Sequence, residues 1–375
     1  MTKKKILMAV YNPIEVDGRV KRISASLSGN FDLTLLCVQG SGEFRTPLYS
    51  IIRVKAYERI GRVLRLFTFW VKMLRYAIKI QPDIIYAHDF FLPMPGWIVS
   101  RLVGAGFVYD AHELIVPADD APLSQNENLF YKLESLVIKK ADLIIAANPE
   151  RSLVMKEHYG LRQLPTSVGN IPPIPQSSLN DRQILELFPE LGKKHAEDIH
   201  ILYMGDINLE RGLRVLVDAF EFLPDHFKLF FVGTGPDLET LKRMASDRFH
   251  LLGQVSHDKL YDVIRQTDLG YVTYSMLGLN NVLCAPNKVF EYAQAGLPMV
   301  TTCQPTIKNM FAKYRVGELV GCGSALVVAE RVADAIQRVA GNIEQYKSNI
   351  PAFLSYYRWE NESSNLIEAV ENVTN

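Results

Sequence analysis

The sequence is poor in cysteine, with four among 375 residues: Cys37, Cys284, Cys303 and Cys322. None stands in a C-x-x-C pair and none shares zinc spacing with histidine, which excludes a zinc ribbon or finger. Thiols this sparse and scattered fit a reducing compartment, so a cytoplasmic chain is expected. Net charge is lacking too, because 41 Lys+Arg balance 41 Asp+Glu. A general nucleic-acid binder is normally basic overall, and none is expected here. No run approaches the ~20 apolar residues that span a bilayer. Lys3–Lys5 before the apolar Ile6–Val10 imitate a secretory signal. That run is too short and stops at Asn12-Pro13, so a buried first strand is the better reading.

What is present is ordinary globular material, 48% hydrophobic and 22% charged, in a length that suits two domains. Continuous apolar runs alternate with helical stretches. The candidate strands are Lys5–Val10, Asp32–Val38, Ile84–His88, Phe107–Asp110 and Leu143–Ala147, then Ile199–Gly205, Lys228–Gly233, Phe249–Leu252, Leu269–Tyr274 and Met299–Thr302. Unbroken apolar strands are covered on both faces, which is the habit of parallel sheets. Residues 165–178, PTSVGNIPPIPQSS, carry Pro165, Pro172, Pro173 and Pro175 and exclude regular structure. The hinge falls near Gly169–Pro175. The expected fold class is α/β, with two Rossmann-like doubly wound parallel-sheet domains at 1–170 and 171–355 and a cleft between them, lined by the carboxyl ends of the strands.

Charge is divided between the halves. Residues 1–179 hold 22 Lys/Arg and 16 Asp/Glu, an excess of +6 that the remainder cancels. The excess concentrates in 53–79, where Arg53, Lys55, Arg59, Arg62, Arg65, Lys72, Arg75 and Lys79 face one acid, Glu58, among Leu64, Leu66, Phe67, Phe69, Trp70, Met73 and Leu74. Two readings stand side by side: a basic amphipathic helix for an anionic membrane surface, or a core-packed helix with a solvated basic face.

Five segments, YDAHE (109–113), GDINLERG (205–212), VGTGPDLETL (232–241), LLGQVSHDKL (251–260) and APNKVFEYAQAGLPMV (285–300), resemble in order and spacing a family 4 retaining glycosyltransferase of the GT-B fold. The resemblance covers nearly the whole chain. It implies a nucleotide-sugar donor, retention of the anomeric configuration and no metal; no D-x-D motif is present to hold one. A glycan or polyprenyl-linked acceptor is expected from the basic apolar stretch 53–79 alone. In that fold a last helix, here 356–375, crosses back onto the first domain.

The segments also have a reading of their own. Pro286 suits a helix start, which directs the amides of Asn287, Lys288 and Val289 at an anion, and Lys288 adds a full charge. Glu291, one turn further in, has the place that the resemblance gives to a ribose-binding carboxylate. The first glutamate of the family's E-x7-E pattern is Leu283 here, so sugar recognition is expected from Ser275–Asn281. Arg211 occupies the phosphate-binding lysine position, while Asp206 replaces the family's arginine, leaving Lys288 to supply the missing cation. Gly233 and Gly235 form a strand-to-helix turn beneath the nucleotide, without the third glycine of a dinucleotide fingerprint, and Val255 follows the strand where the family holds the base. In the first half, Gly18 closes a loop able to approach the donor phosphate. His112 matches the family's sugar-contacting histidine. Asp110 and Glu113 flank it, either one able to act on the acceptor hydroxyl. His88 is either a structural histidine or an acceptor-side group. Rival expectations are a GT-B nucleotide-sugar 2-epimerase and a degenerate transferase serving as a partner subunit.

Overall fold

The structure, a computed structural model, describes residues 2–55, 61–118, 120–244, 246–322 and 327–374. The chain divides into two compact units. The first comprises Met1–Asn170, Gly278–Asn280 and Trp359–Asn375; the second comprises Ile171–Leu277 and Asn281–Arg358.

The first unit holds a seven-stranded sheet of β1 (Lys5–Pro13), β2 (Asp32–Val38), β3 (Ser50–Val54), β4 (Ile84–His88), β5 (Gly106–Ala111), β6 (Leu143–Ala146) and β7 (Thr166–Ser167) in the order β3-β2-β1-β4-β5-β6-β7, all neighbours parallel. The second holds a six-stranded parallel sheet of β8 (Ile199–Met204), β9 (Phe227–Val232), β10 (Phe249–Gly253), β11 (Leu269–Val272), β12 (Met299–Thr302) and β13 (Gly317–Val320) in the order β10-β9-β8-β11-β12-β13. Both orders reverse beside their first strand, at β1/β4 and at β8/β11. In doubly wound sheets ligands bind outside the carboxyl ends of such switch-point strands.

Burial explains the apolar runs. Along β8 and β9, Ile201, Tyr203, Leu229 and Phe231 pack into one core, while Leu202, Met204, Phe230 and Val232 pack into the core on the opposite face. Both faces of the sheet are therefore dry, and a polar residue on either would lose its water. In the first unit Ile6, Met8, Leu35, Ile84 and Tyr86 meet Val20, Ile23 and Leu27 of the helix Gly18–Ser28. Leu366 and Val370 of the last helix, Trp359–Glu371, join the same core, and Trp359 Nε1 donates to Ser26 Oγ at 3.0 Å.

Two features differ from the sequence reading. Three strands carry no apolar run and were not expected: β3, β7 and β13, all edge strands. The cysteines are less scattered than their spacing suggests, because β12 and β13 are neighbours and bring Cys303 and Cys322, just past their ends, into a disulfide.

Candidate active site

In the second unit the loops at the carboxyl ends of β8 and β9 approach backbone to backbone. A Cβ on Gly233 would lie 1.9 Å from the Gly205 carbonyl oxygen, and one on Gly235 would lie 2.2 Å from that of Ile207. Gly205 and Gly233 adopt φ of 143° and 142°, a region that side chains rarely enter. Close packing thus accounts for Gly233 and Gly235. Lys288 lies across the glycine floor, its Nζ 3.1 Å and Cε 2.8 Å from where a Gly205 Cβ would stand. Burial lowers the pKa of its ammonium, while Glu291, Cys284 and Asp206 pull it up. A lysine held against backbone at the switch point is a positive charge fixed in place.

The helix that carries it, Asn287–Gln294, begins after Pro286 as the motif suggests. One expected amide is committed, however: Val289 N donates to the Pro286 carbonyl at 3.1 Å, and its side chain is buried. Asn287 is exposed and Glu291 half-buried at this end. Arg211, 73% exposed, extends into solvent with Nη1 3.8 Å from Asp206 Oδ2. Asp206 is thus more than a lost cation, since it partly neutralises the cation that remains. Val255, between β10 and the helix His257–Ile264, packs its side chain against the core. Leu283 is buried. Asn280 is an unsuitable sugar-binding group, because its Oδ1 accepts from Leu114 N at 3.0 Å and from Arg151 Nη2 at 2.7 Å.

In the first unit the strand ends carry a different arrangement. Asp110, on β5, is fully buried. Arg19 grips it, with Nη2 donating to Oδ1 at 2.7 Å and Nε to Oδ2 at 3.3 Å, and the Tyr86 hydroxyl donates to Oδ2 at 3.2 Å. Burial alone would raise the Asp110 pKa; Arg19, His88 and His112 outweigh it and hold the carboxyl well below the usual carboxylate range. Asp110 therefore has no lone pair facing an acceptor, which corrects the expectation that it could act on a hydroxyl. His88, buried too, sits with Nδ1 3.3 Å from Asp110 Oδ2 and 2.9 Å from His112 Nε2. It is a supporting residue behind His112 and is removed from direct contact with an acceptor. His112, 15% exposed, is the member of the group that reaches the surface. Burial pushes it down to about 4, with Asp110 opposing and His88 reinforcing, so its ring is neutral at pH 7. Glu113 is exposed.

His88, Asp110 and His112 bring ligand atoms within 4.8 Å of one another, as a cation site would. The Arg19 guanidinium, bidentate on the same carboxylate, already supplies the positive charge. Gly18 opens its helix in the open, but the Asp17 carboxylate caps that end and accepts from Val20 N at 3.0 Å. Sequence reasoning missed Arg19. The available signal was its phase, since Arg19 shares a helical face with the buried Val20, Ile23 and Leu27. A hollow of about 680 Å³ lies beside Asp142, Leu143 and Thr166, at the amino ends of β6 and β7. That is the wrong end of the sheet for such a site.

The basic stretch resolves into β3 and the helix Arg62–Ile80; Arg59 lies outside the described residues, as does the side chain of Arg62. Leu66, Phe69, Met73 and Ala77 form the buried face, whereas Leu64, Phe67, Val71 and Ile78 are more than half exposed, Phe67 at 55%. Trp70 is half-buried. Among the described residues no helix is long and apolar enough to cross a membrane.

Residues 198–342 match the family model described as glycosyl transferases group 1, and residues 19–168 match that of Glycosyltransferase Family 4. The chain is 23% identical over 256 residues to the putative teichuronic acid biosynthesis glycosyltransferase TuaC of Bacillus subtilis (strain 168), an alignment that covers 68% of this chain and 61% of that protein. Its fold superposes on Anabaena HepE in complex with UDP and glucose at a TM-score of 0.73 and 18% identity, over 98% of this chain and 99% of the other. A UDP-N-acetylglucosamine 2-epimerase superposes at 0.64 and 13% identity, over 96% and 94%. At such identities the superpositions speak for the fold alone. The first unit thus matches Glycosyltransferase Family 4 and the second the group 1 glycosyl transferases, on two parallel-sheet units with the GT-B fold.

Proposed function

We propose that this enzyme moves a sugar from a nucleotide-sugar donor to a hydroxyl of a glycan or lipid-linked acceptor, with retention and without a metal, in the assembly of a cell-surface polysaccharide. The observation that carries the reading is Lys288 laid over the glycine floor at the β8/β11 switch point, one helical turn before Glu291. The HepE complexes with UDP and with UDP-glucose, and the polymer named for TuaC, support the donor and the pathway class. Lys288 and Arg211 offset the charge that develops on the departing diphosphate. Neutral His112 donates a hydrogen bond to a sugar hydroxyl. A donor phosphate oxygen takes the acceptor proton on the face that the diphosphate leaves, so no paired carboxylate base is required. Incubation with a panel of UDP- and GDP-sugars and undecaprenyl-diphosphate-linked monosaccharides should release nucleoside diphosphate only when an acceptor is present. The new glycosidic proton should show the donor's anomeric coupling in NMR. Free sugar product without acceptor would favour the epimerase reading, and no release with any pair would favour the non-catalytic one.

Glu291 binds the ribose diol in this reading. Glu291→Ala should weaken nucleoside diphosphate binding by about 1.5–3 kcal/mol, the usual loss for hydrogen bonds to a charged group. Calorimetry on UDP and GDP checks it, and unchanged affinities would remove Glu291 from the ribose.

In this reading the enzyme works at the inner face of the cell membrane, and the helix Arg62–Ile80 supports that location. Its exposed stripe at 64, 67, 71 and 78 has helical spacing, and Arg75 and Lys79 are exposed beside it. Each basic residue near an anionic surface contributes roughly 1 kcal/mol, and buried apolar area adds to that. Replacing Leu64, Phe67 and Val71 with serine should abolish sedimentation on phosphatidylglycerol vesicles while nucleotide affinity stays constant. Equal sedimentation of variant and parent would make the stripe an inert surface.

A further inference from the structure

Three non-glycine residues among those described have positive φ: Gln81, Asp89 and Arg315. Two have a local reason, because Gln81 ends the helix Arg62–Ile80 and Arg315 ends the helix Pro305–Tyr314. A left-handed residue is a common way to end a helix. Asp89, at φ 64°, ends no helix. It follows β4 directly, at the carboxyl end of a switch-point strand. Strained backbone persists where surrounding bonds over-determine it, and it gathers at functional sites. Here the bonds are Asp89 N donating to the Asp110 carbonyl at 2.9 Å, Leu92 N donating to the Asp89 carbonyl at 3.2 Å, and Phe90 N donating to Oδ1 at 2.7 Å. The turn aims the carboxylate and fixes one oxygen. The other oxygen, Oδ2, meets no donor among the described residues, and the side chain is only partly buried.

The turn also sets Phe90 and Phe91 beside Asp89, with ring centroids 4.3 Å apart. Phe91 packs edge-on to Tyr11 at 5.7 Å and to Phe130 at 4.9 Å. Tyr11, Phe90, Phe91 and Phe130 are all half-buried, so each keeps some ring open. An aromatic ledge next to an aimed carboxylate offers the two things a sugar ring presents surfaces for: an apolar face to cover and hydroxyls to donate.

We propose that Asp89 Oδ2 accepts a hydrogen bond from a non-reacting hydroxyl of the acceptor, with Phe90 and Phe91 as the ledge on which the acceptor's sugar ring lies. The proposal rests on the glycosyl-transfer reading above and adds to it the residue that holds the acceptor. The acceptor class is a glycoside, recognised by hydroxyl and ring face together. The electrostatics around Asp89 suit that role. Burial pushes its carboxyl up to about 7, reinforced by Glu113 beyond β5, Asp17 at the start of the first helix and Asp110 on β5, while the bond from Phe90 N opposes them. Its charge in turn raises Tyr109 on β5 and Glu134 of the helix Gln125–Val137, after burial in each case. A carboxylate with so much negative charge around it is a strong hydrogen-bond acceptor once ionised.

The test uses the full chain and n-octyl β-D-glucopyranoside, followed by NMR titration below its micelle concentration, with UDP titrated in parallel. Asp89→Asn keeps the left-handed turn and the bond from Phe90 N, because asparagine tolerates that conformation. Asp89→Gly relieves the turn and removes the side chain. Both variants should bind the glycoside about tenfold or more weakly, as loss of a charged hydrogen bond implies, while UDP affinity is unchanged. Affinity of the parent enzyme should rise as pH increases through 7 and Asp89 ionises; the Asp89→Asn profile should be flat across that window. Equal glycoside binding by parent and Asp89→Asn, or no saturable binding by the parent, overturns the proposal. Failure of UDP to bind would instead overturn the transfer reading, and the glycoside arm would still report on Asp89.

Discussion

Lys288→Ala should lower turnover by about 10²–10³, the usual consequence of removing one preorganised electrostatic stabiliser, with a smaller change in donor affinity. The ammonium lies against the Gly205 backbone, where the absence of a side chain makes room for it, and 5.9 Å from the centre of the Tyr274 ring. A charge already in place costs no reorganisation as the diphosphate departs, so its effect falls on the transition state more than on the bound donor. Arg211→Ala should cost less. Its guanidinium is mostly solvated and shares its charge with Asp206 at 3.8 Å, and exposed charges are screened. Steady-state kinetics on both variants checks the order. Near-normal turnover of Lys288→Ala would leave the diphosphate to Arg211 and amides alone.

The second large effect concerns stability. Arg19→Met should destabilise the first unit by about 3–5 kcal/mol, the cost of stranding a buried charge when its partner is removed. Asp110 is fully buried and Arg19 nearly so, with two hydrogen bonds between them and a third from Arg19 Nη1 to the Val168 carbonyl at 2.8 Å. Adding Asp110→Leu to Arg19→Met should recover much of the loss, because an apolar pair strands nothing. The dependence on pH has a definite sign. The Asp110 carboxyl is held well below its ordinary value, so its contribution is complete above about pH 4, the unfolded aspartate range. It declines as pH falls from there toward the low folded value. Urea unfolding of parent, single and double variants between pH 3 and 7 checks both statements. A single variant as stable as the parent at pH 7 would mean the ion pair contributes nothing.

The fold was largely legible because most strands of both sheets are buried on both faces and had to be apolar throughout; Ile6–Val10, Ile84–His88 and Met299–Thr302 leave little choice. The missed strands SIIRV, TS and GELV lie at sheet edges, where half-burial admits polar residues and the period dissolves. In the second unit the helix that carries Lys288 was legible because Pro286 marks its start in the sequence. The first unit hid more. Whether Asp110 faces solvent or Arg19 depends on a contact across 91 residues, which no local pattern encodes. Asp89 looks like an ordinary strand-ending aspartate until its φ is known. Asp206, read as a missing cation, proves to be the neighbour that moderates Arg211.

In the reading proposed above, the nucleotide binds at the strand ends of the second unit. Hydrogen exchange of the full chain, with and without saturating UDP or GDP, tests it most directly. The strongest protection is expected in peptides covering 205–212, 233–235 and 287–291. Strongest protection at 11–18 or 88–113, or none anywhere with either nucleotide, would contradict it.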